Sequence, residues 1–121
     1  MAKTFTKTKL GQSTDGKAVL VVATATAGTL IHTGPSLATT IDEVWLYAVN
    51  TSASAVKLTI EWGEATAPDG NIEQTIPAES GLYLISAGLI LLYSGSTTTI
   101  NAFASVTNVI GIYGYVNRIA V

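Results

Sequence analysis

The side chains that could carry out acid–base or metal chemistry are few: the 121-residue sequence has one histidine, eight aspartates and glutamates, and no cysteine. The lack of cysteine excludes disulfides, thiolate metal ligands and a cysteine nucleophile. His32, Ser36 and Asp42 include the residue types of a Ser-His-Asp relay. Because no nucleophile-elbow motif surrounds Ser36, we expect no hydrolase there. The sequence therefore predicts no catalytic residue, no cofactor and no enzyme activity.

Two pairs of carboxylates are candidates for acid–base chemistry. Asp42 and Glu43 are adjacent, and on a strand adjacent side chains point to opposite faces, so they cannot share one proton or cation. We expect them to be solvated at the start of a strand. Glu61 and Glu73 could pair as in a glycosidase, but nothing in the sequence fixes their separation.

One loop contains oxygen ligands at spacings that Ca²⁺ could use, namely Glu64, Asp69, Asn71 and Glu73. The loop lacks the pattern of an EF-hand. An acidic surface loop is the simpler interpretation, so no metal site is predicted.

Composition limits the broad class of the protein. Apolar residues make up 48% and charged residues 12%, which excludes intrinsic disorder. The length favours one domain. The apolar run Gly81–Tyr93 is shorter than the roughly 20 residues of a membrane helix, so no membrane partner is expected. Ala25-Thr26-Ala27 is similar to a signal-peptidase site, but the turn at Gly11–Gly16 argues against a signal peptide.

Charge is distributed unevenly along the chain. The first 17 residues contain four lysines and one aspartate, whereas the rest is acidic. Such an arm can be a solvated first strand, or it can bind an acidic surface on another copy or on a partner. Direct binding of nucleic acid is not expected, because a basic stripe and a stacking platform are both missing.

Almost every segment has strand character, because short β-branched or alternating runs are separated by Gly, Pro and Ser. The predicted strands are Lys3–Leu10, Lys17–Thr26, Gly28–Thr33, Glu43–Asn50, Ala55–Trp62, Asn71–Ile76, Gly81–Ser86, Leu89–Tyr93, Thr97–Ser105 and Val109–Ile119. In the run from Ala55, we expect Lys57, Thr59 and Glu61 to face water. Nine or ten strands at this spacing predict an all-β, two-sheet β-sandwich. A jelly roll is preferred, and an immunoglobulin-like order stays open.

The domain organisation follows from this pattern. Residues 1–16 are predicted to form an extended N-terminal arm or first strand, and residues 17–121 the β-sandwich domain. Gly111 and Gly114 fall inside a predicted strand, which indicates a bulge or close packing rather than a phosphate loop.

Several predicted strands are apolar on both faces. Trp45 and Tyr47 lie opposite Val44 and Leu46, and further along the chain Tyr113 and Tyr115 lie opposite Ile110 and Ile112. One domain of this size cannot bury both faces, and aromatic side chains on such faces are typical of interfaces. We therefore expect contacts between copies through Trp45, Tyr47, Tyr113 and Tyr115. Packing at the sandwich ends and binding of carbohydrate remain alternatives.

Parts of the sequence resemble small virion proteins of tailed bacteriophages. The similar stretches are Val56–Trp62 (VKLTIEW) with the acidic turn after it, Ile76–Leu82 (IPAESGL), and Ile100–Ala120 (INAFASVTNVIGIYGYVNRIA). The resemblance extends from about Ile31 to the C-terminus. It implies a β-sandwich with a structural role and no enzyme activity.

Within such proteins, the resemblance points to capsid decoration (cement) proteins. These are often trimers seated over junctions between subunits of the major capsid protein. It implies a homo-oligomer on the outer capsid surface of the virion, made in the host cytoplasm. The arm, through Phe5, Lys7 and Lys9, is then expected to bind the capsid. The alternatives are a carbohydrate- or receptor-binding module of a head or tail fibre and a tail or neck component.

Overall fold

The computed structural model describes residues 2–120, which form nine β-strands. The strands are β1 (Thr4–Lys9), β2 (Val19–Leu20), β3 (Thr29–Thr33), β4 (Thr40–Asn50), β5 (Val56–Trp62), β6 (Asn71–Ile76), β7 (Tyr83–Leu92), β8 (Thr99–Ala104) and β9 (Ile110–Ala120). In the described part of the chain, no helix is long and apolar enough to cross a membrane.

The strands form two antiparallel sheets packed face to face. Sheet A has the order β1-β9-β4-β7, with β2 also paired to β9, and sheet B has the order β3-β8-β5-β6. The pairing is nested along the chain: β9 pairs with β1 and β2, β8 with β3, β7 with β4, and β6 with β5. This wrapped series of antiparallel pairs is the jelly-roll arrangement, so the predicted all-β, two-sheet sandwich is confirmed.

Alternation along each strand places one apolar set between the sheets. In β4, every second residue from Thr40 to Asn50 is buried, and the residues between them are half-buried on the outer face. Among residues 2–120, the fully buried apolar core is aliphatic, and the rings of Trp62 and Tyr83 pack against it while partly buried. Its largest fully buried aliphatic side chains are Leu10, Ile31, Leu46, Leu58, Ile60, Ile76, Ile100, Ile110 and Ile112.

The predicted long strand Lys17–Thr26 is wrong, because only Val19–Leu20 pairs with β9. Beyond Val21 the chain leaves sheet A and crosses to sheet B, where the Ala104 amide donates to the Ala23 carbonyl at 3.1 Å. Thr29 Oγ1 accepts from the amides of Val22 and Ala23, which holds the crossing segment in place. We call residues 22–28 the crossing loop.

The exposure predicted for β5 is wrong at two of its outward-facing residues. Thr59 and Glu61 were expected to face water, but both are buried. They do point away from the core, on the outer face of sheet B. The Gly28 amide donates to Glu61 Oε1 at 2.7 Å, so the loop covers that carboxylate from outside.

The predicted strands Gly81–Ser86 and Leu89–Tyr93 are one strand, β7. Its register against β4 shifts between Val44 and Trp45 and again between Leu46 and Tyr47. Gly88, which was expected to separate two strands, has a φ of 81° in this irregular region. Gly88 therefore marks a bulge within β7 rather than a turn between two strands.

Residues 4–9 of the predicted arm form β1, an edge strand paired only with β9. Its side chains are exposed except for half-buried Thr8. Leu10, directly after it, is fully buried and anchors the strand to the core.

Candidate interaction surface

The outer face of sheet A forms a surface made of four neighbouring strands, and we call it the outer A face. The pairing register arranges its side chains in rows. From the β1 edge to the β7 edge, the rows are Phe5–Ile119–Ile41–Leu92, Lys7–Asn117–Glu43–Ile90, Lys9–Tyr115–Trp45–Ala87 and Tyr113–Tyr47–Leu84. Most of these side chains are apolar or aromatic.

The aromatic rings lie at the centre of the outer A face. Trp45 and Tyr115 are directly opposite on β4 and β9, and their rings stack with centroids 5.9 Å apart and planes 8° from parallel. Tyr47 and Tyr113 are opposite each other in the next row. The Lys7 ammonium lies 4.4 Å from the centroid of the Tyr115 ring, so a cation–π contact connects β1 to this centre.

Glu43 provides the carboxylate in this surface. Its Oε1 accepts from Asn117 Nδ2 at 3.0 Å and from Trp45 Nε1 at 3.3 Å. The hydrogen bond from Asn117, and then that from Trp45, hold the pKa of Glu43 below its ordinary value. The carboxylate therefore remains charged and fixes the orientation of the indole ring beside it.

Large apolar side chains of the outer A face remain open to solvent. Phe5 is 68% exposed and Tyr113 is 38% exposed. Three side chains on β7 are about half exposed: Leu84 at 49%, Ile90 at 51% and Leu92 at 49%. In globular proteins, contiguous exposed apolar surface is typical of interaction sites.

A cleft of about 310 Å³ lies between β7, an edge strand of sheet A, and β6, an edge strand of sheet B. Its lining is mostly apolar: Ile72, Ile85, Ser86, Ala87, Gly88 and Leu89. No side chain in this lining is charged, so the cleft extends the apolar character of the β7 edge.

The structure brings together the two sets of residues that the sequence assigned to different partners. Phe5, Lys7 and Lys9 on β1 are level with Ile119, Asn117 and Tyr115 on β9. They therefore share the outer A face with Trp45, Tyr47, Tyr113 and Tyr115. Neither the arm nor the aromatic cluster is a separate surface.

Asp42 was expected to be solvated, and this expectation is wrong. It is fully buried and points inward, opposite Glu43, as alternation requires. Arg118 Nε and Nη2 each donate to one of its oxygens at 2.7 Å, and His32 Nε2 lies 2.8 Å from Oδ2. Burial raises the pKa of Asp42, but the hydrogen bonds from Arg118 and His32 and the charge of Arg118 outweigh it, so the pKa lies below its ordinary value.

The His32–Asp42 pair does not extend into a relay. The Gly11 amide donates to His32 Nδ1 at 2.9 Å, so Nδ1 is an acceptor and Nε2 donates to Asp42. Both ring nitrogens are therefore occupied, one by the Gly11 amide and one by Asp42, and Ser36 is the partner of neither. Arg118, which sequence reasoning missed, makes this group a structural link between β9, β4 and β3.

The remaining carboxylates do not form an acid–base pair. Glu61 and Glu73 are on neighbouring strands and the same face, but Glu61 is buried beneath the crossing loop. Glu73 is exposed and pairs with Lys57 at 3.0 Å. Glu64 and Asp69 are exposed loop residues. Among residues 2–120, no three His, Cys, Asp or Glu side chains are grouped as metal ligands.

Comparison with known proteins adds no identification. No protein-family model, no curated protein and no solved structure matches this chain.

Proposed function

We propose that this protein is a non-enzymatic structural protein of a bacteriophage virion, a capsid decoration protein that binds the assembled head shell. The resemblance to small virion proteins supports this proposal. The observation that carries it is the outer A face, an apolar and aromatic surface that crosses all four long strands of sheet A. A surface of this kind fits a large protein contact better than a small substrate.

The mechanism is binding coupled to assembly. A protein that binds the assembled lattice, and not free subunits of the major capsid protein, stabilises the lattice by mass action. An apolar surface gains free energy in proportion to the area removed from water, at about 25 cal/mol per Å² before the costs of association. The rigid sandwich presents this surface already formed, which keeps those costs low.

The outer A face can make two contacts at once if each contact uses a different part of it. The aromatic rows of Trp45, Tyr47, Tyr113 and Tyr115 then join copies into a homo-oligomer, for which a trimer is the expected form. The edge of Phe5, Lys7 and Lys9 then meets the shell. Light scattering of the purified protein tests the first contact, and a monodisperse monomer at micromolar concentration would exclude it.

The shell contact is tested by co-sedimentation with expanded shells of the phage that encodes the protein. The variant Phe5→Ser removes an exposed ring and leaves the core intact, so we expect weaker binding with unchanged folding. Val106→Ser is the matched control, because Val106 is 45% exposed in the turn before β9 and lies outside the outer A face. Equal binding of the wild type and both variants would remove the β1 edge from the mechanism.

A carbohydrate-binding module of a fibre is the second candidate. The observation that favours it is the cluster of rings beside Glu43 and Asn117, whose polar groups could orient a sugar. A glycan array with wild type and Trp45→Ala distinguishes the two functions. Selective binding that Trp45→Ala abolishes, without binding to shells, would favour the fibre module.

A further inference from the structure

Three polar side chains form one row across the outer face of sheet B. Glu61 on β5 is directly opposite Asn71 on β6 and Asn101 on β8. The crossing loop lies over this row, because the Gly28 amide and the Thr26 hydroxyl donate to the two oxygens of Glu61. We call the three residues the polar row.

Glu61 is a buried carboxylate without a cationic partner. It is 1% exposed, and no lysine, arginine or histidine among residues 2–120 forms an ion pair with it. The other buried carboxylate, Asp42, is accompanied by Arg118 and His32. Two hydrogen bonds from the crossing loop satisfy the oxygens of Glu61, but it lacks the cation that accompanies Asp42, and buried charges in proteins are paired or coordinate metals.

Next to Glu61, Asn71 presents an oxygen without a donor. Asn71 Oδ1 is the one buried side-chain oxygen or nitrogen in residues 2–120 that has no hydrogen-bond partner. An orphaned acceptor of this kind costs free energy unless a ligand, ion or water satisfies it. Glu61 has two hydrogen-bond donors but no cation, and the amide oxygen on the opposite residue has no donor, so one bound cation would satisfy both groups.

We propose that the polar row binds a hard divalent cation, of the size and chemistry of Ca²⁺. The Glu61 carboxylate, Asn71 Oδ1 and the Thr26 hydroxyl are its protein ligands, and water completes an all-oxygen shell. Asn101 is a positioning residue, since its Nδ2 donates to the Gly28 carbonyl at 3.0 Å and holds the crossing loop over the site. The site stands apart from the outer A face and does not depend on the proposed function.

Such a cation would fasten the crossing loop to sheet B. The loop is otherwise held by a few hydrogen bonds, and its residues from Thr24 to Ala27 are exposed. Binding to the folded protein alone raises its thermal stability by mass action. Ca²⁺ suits the site better than Mg²⁺, because an irregular set of carboxylate, amide and hydroxyl oxygens does not impose a small octahedron.

The first test is calorimetric titration of the chelator-treated full chain with CaCl₂, together with thermal unfolding with and without Ca²⁺. We expect binding of one Ca²⁺ and a transition temperature several degrees higher. Asn71→Ala should weaken binding about tenfold, the effect of losing about 1.4 kcal/mol of ligand contact. Glu73→Gln is the matched control, because Glu73 is an exposed acid on the same strand and should leave affinity unchanged.

The variant Asn71→Asp separates the proposal from a purely structural role. It adds a second carboxylate beside Glu61, so it should be less stable than wild type without Ca²⁺ and bind Ca²⁺ more tightly. If Asn71 instead donated an amide hydrogen to Glu61, Asn71→Asp would be destabilised equally with and without Ca²⁺. That result, or the absence of any Ca²⁺-dependent shift in the wild type, would overturn the proposal.

Discussion

Arg118 and Asp42 form a two-pronged ion pair on neighbouring strands, with Nε and Nη2 each 2.7 Å from a carboxylate oxygen. They are opposite each other in the β4–β9 register, and the Asp42 side chain is fully buried. His32 approaches the same carboxylate from sheet B, so the group connects both sheets at one end of the sandwich.

Asp42→Asn should lower the free energy of unfolding by about 3 kcal/mol. The neutral amide weakens both hydrogen bonds from Arg118, and it faces Arg118 and His32 from a fully buried position, whereas the Arg118 side chain itself is 39% exposed. Breaking a pair with a buried partner by removing that partner is strongly destabilising. Urea unfolding at neutral pH provides the measurement. Glu43→Gln is the control on the adjacent, outward-facing residue and should change stability far less. Equal losses for the two variants would contradict the assigned role of Asp42.

The same ion pair predicts a dependence of stability on pH. The pKa of Asp42 is lowered in the folded state, so below its ordinary value of about 3.9 the unfolded chain binds more protons than the folded one. The stabilisation is therefore complete above about pH 4 and is lost as the pH falls through the folded-state pKa. Unfolding measured at pH 7 and at pH 3 should show a smaller stability gap between wild type and Asp42→Asn at pH 3.

Gly114→Ala should be severely destabilising. A Cβ at Gly114 would lie 1.9 Å from the Trp45 carbonyl oxygen, where no atom fits, so β9 would separate from β4. We expect a loss of about 4 kcal/mol, in the range of the most damaging single substitutions. Gly95→Ala is the control: its Cβ meets open space, and only the left-handed backbone costs about 1 kcal/mol. Thermal unfolding of both variants measures the contrast.

Local pattern was sufficient for the fold class and for the faces of single strands. Alternation in β4 predicted that Asp42 and Glu43 point to opposite sides, and this is confirmed. Strand spacing predicted the two-sheet sandwich. Gly114 was expected to mark a bulge or close packing, and its approach to the Trp45 carbonyl agrees.

Features that depend on contacts between distant segments could not be read from local pattern. The burial of Asp42 depends on Arg118, which is 76 positions away along the chain. The burial of Glu61 depends on the crossing loop, whose apolar, β-branched sequence resembles a strand. The shared surface of Lys7 and Tyr115 follows from the β1–β9 register, which side-chain periodicity does not determine.

Ile90→Lys should separate association from folding. Ile90 is 51% exposed on the outer A face, so the substitution should change the free energy of unfolding by less than about 0.5 kcal/mol. The new charge should lower the average mass of any oligomer that uses this face, as measured by light scattering. Val106→Lys is the control for added charge outside the face. An unchanged mass for an oligomeric wild type and for Ile90→Lys would exclude the β7 edge from the contact.

Asn50→Ala should lower the free energy of unfolding by about 2 kcal/mol. Asn50 is fully buried at the end of β4, and its Nδ2 donates to the Ser54 and Ile76 carbonyls at 2.9 and 3.1 Å. Alanine leaves those acceptors unsatisfied, and a buried unsatisfied group costs about 1–3 kcal/mol. Asn50→Asp should be at least as damaging, because it places a carboxylate against two carbonyl oxygens while keeping the acceptor for Ser52. Urea unfolding of both variants measures the effect. If Asn50→Asp is as stable as wild type, the hydrogen bond that Asn50 Oδ1 accepts from Ser52, rather than the two that Nδ2 donates, holds the β4–β5 turn.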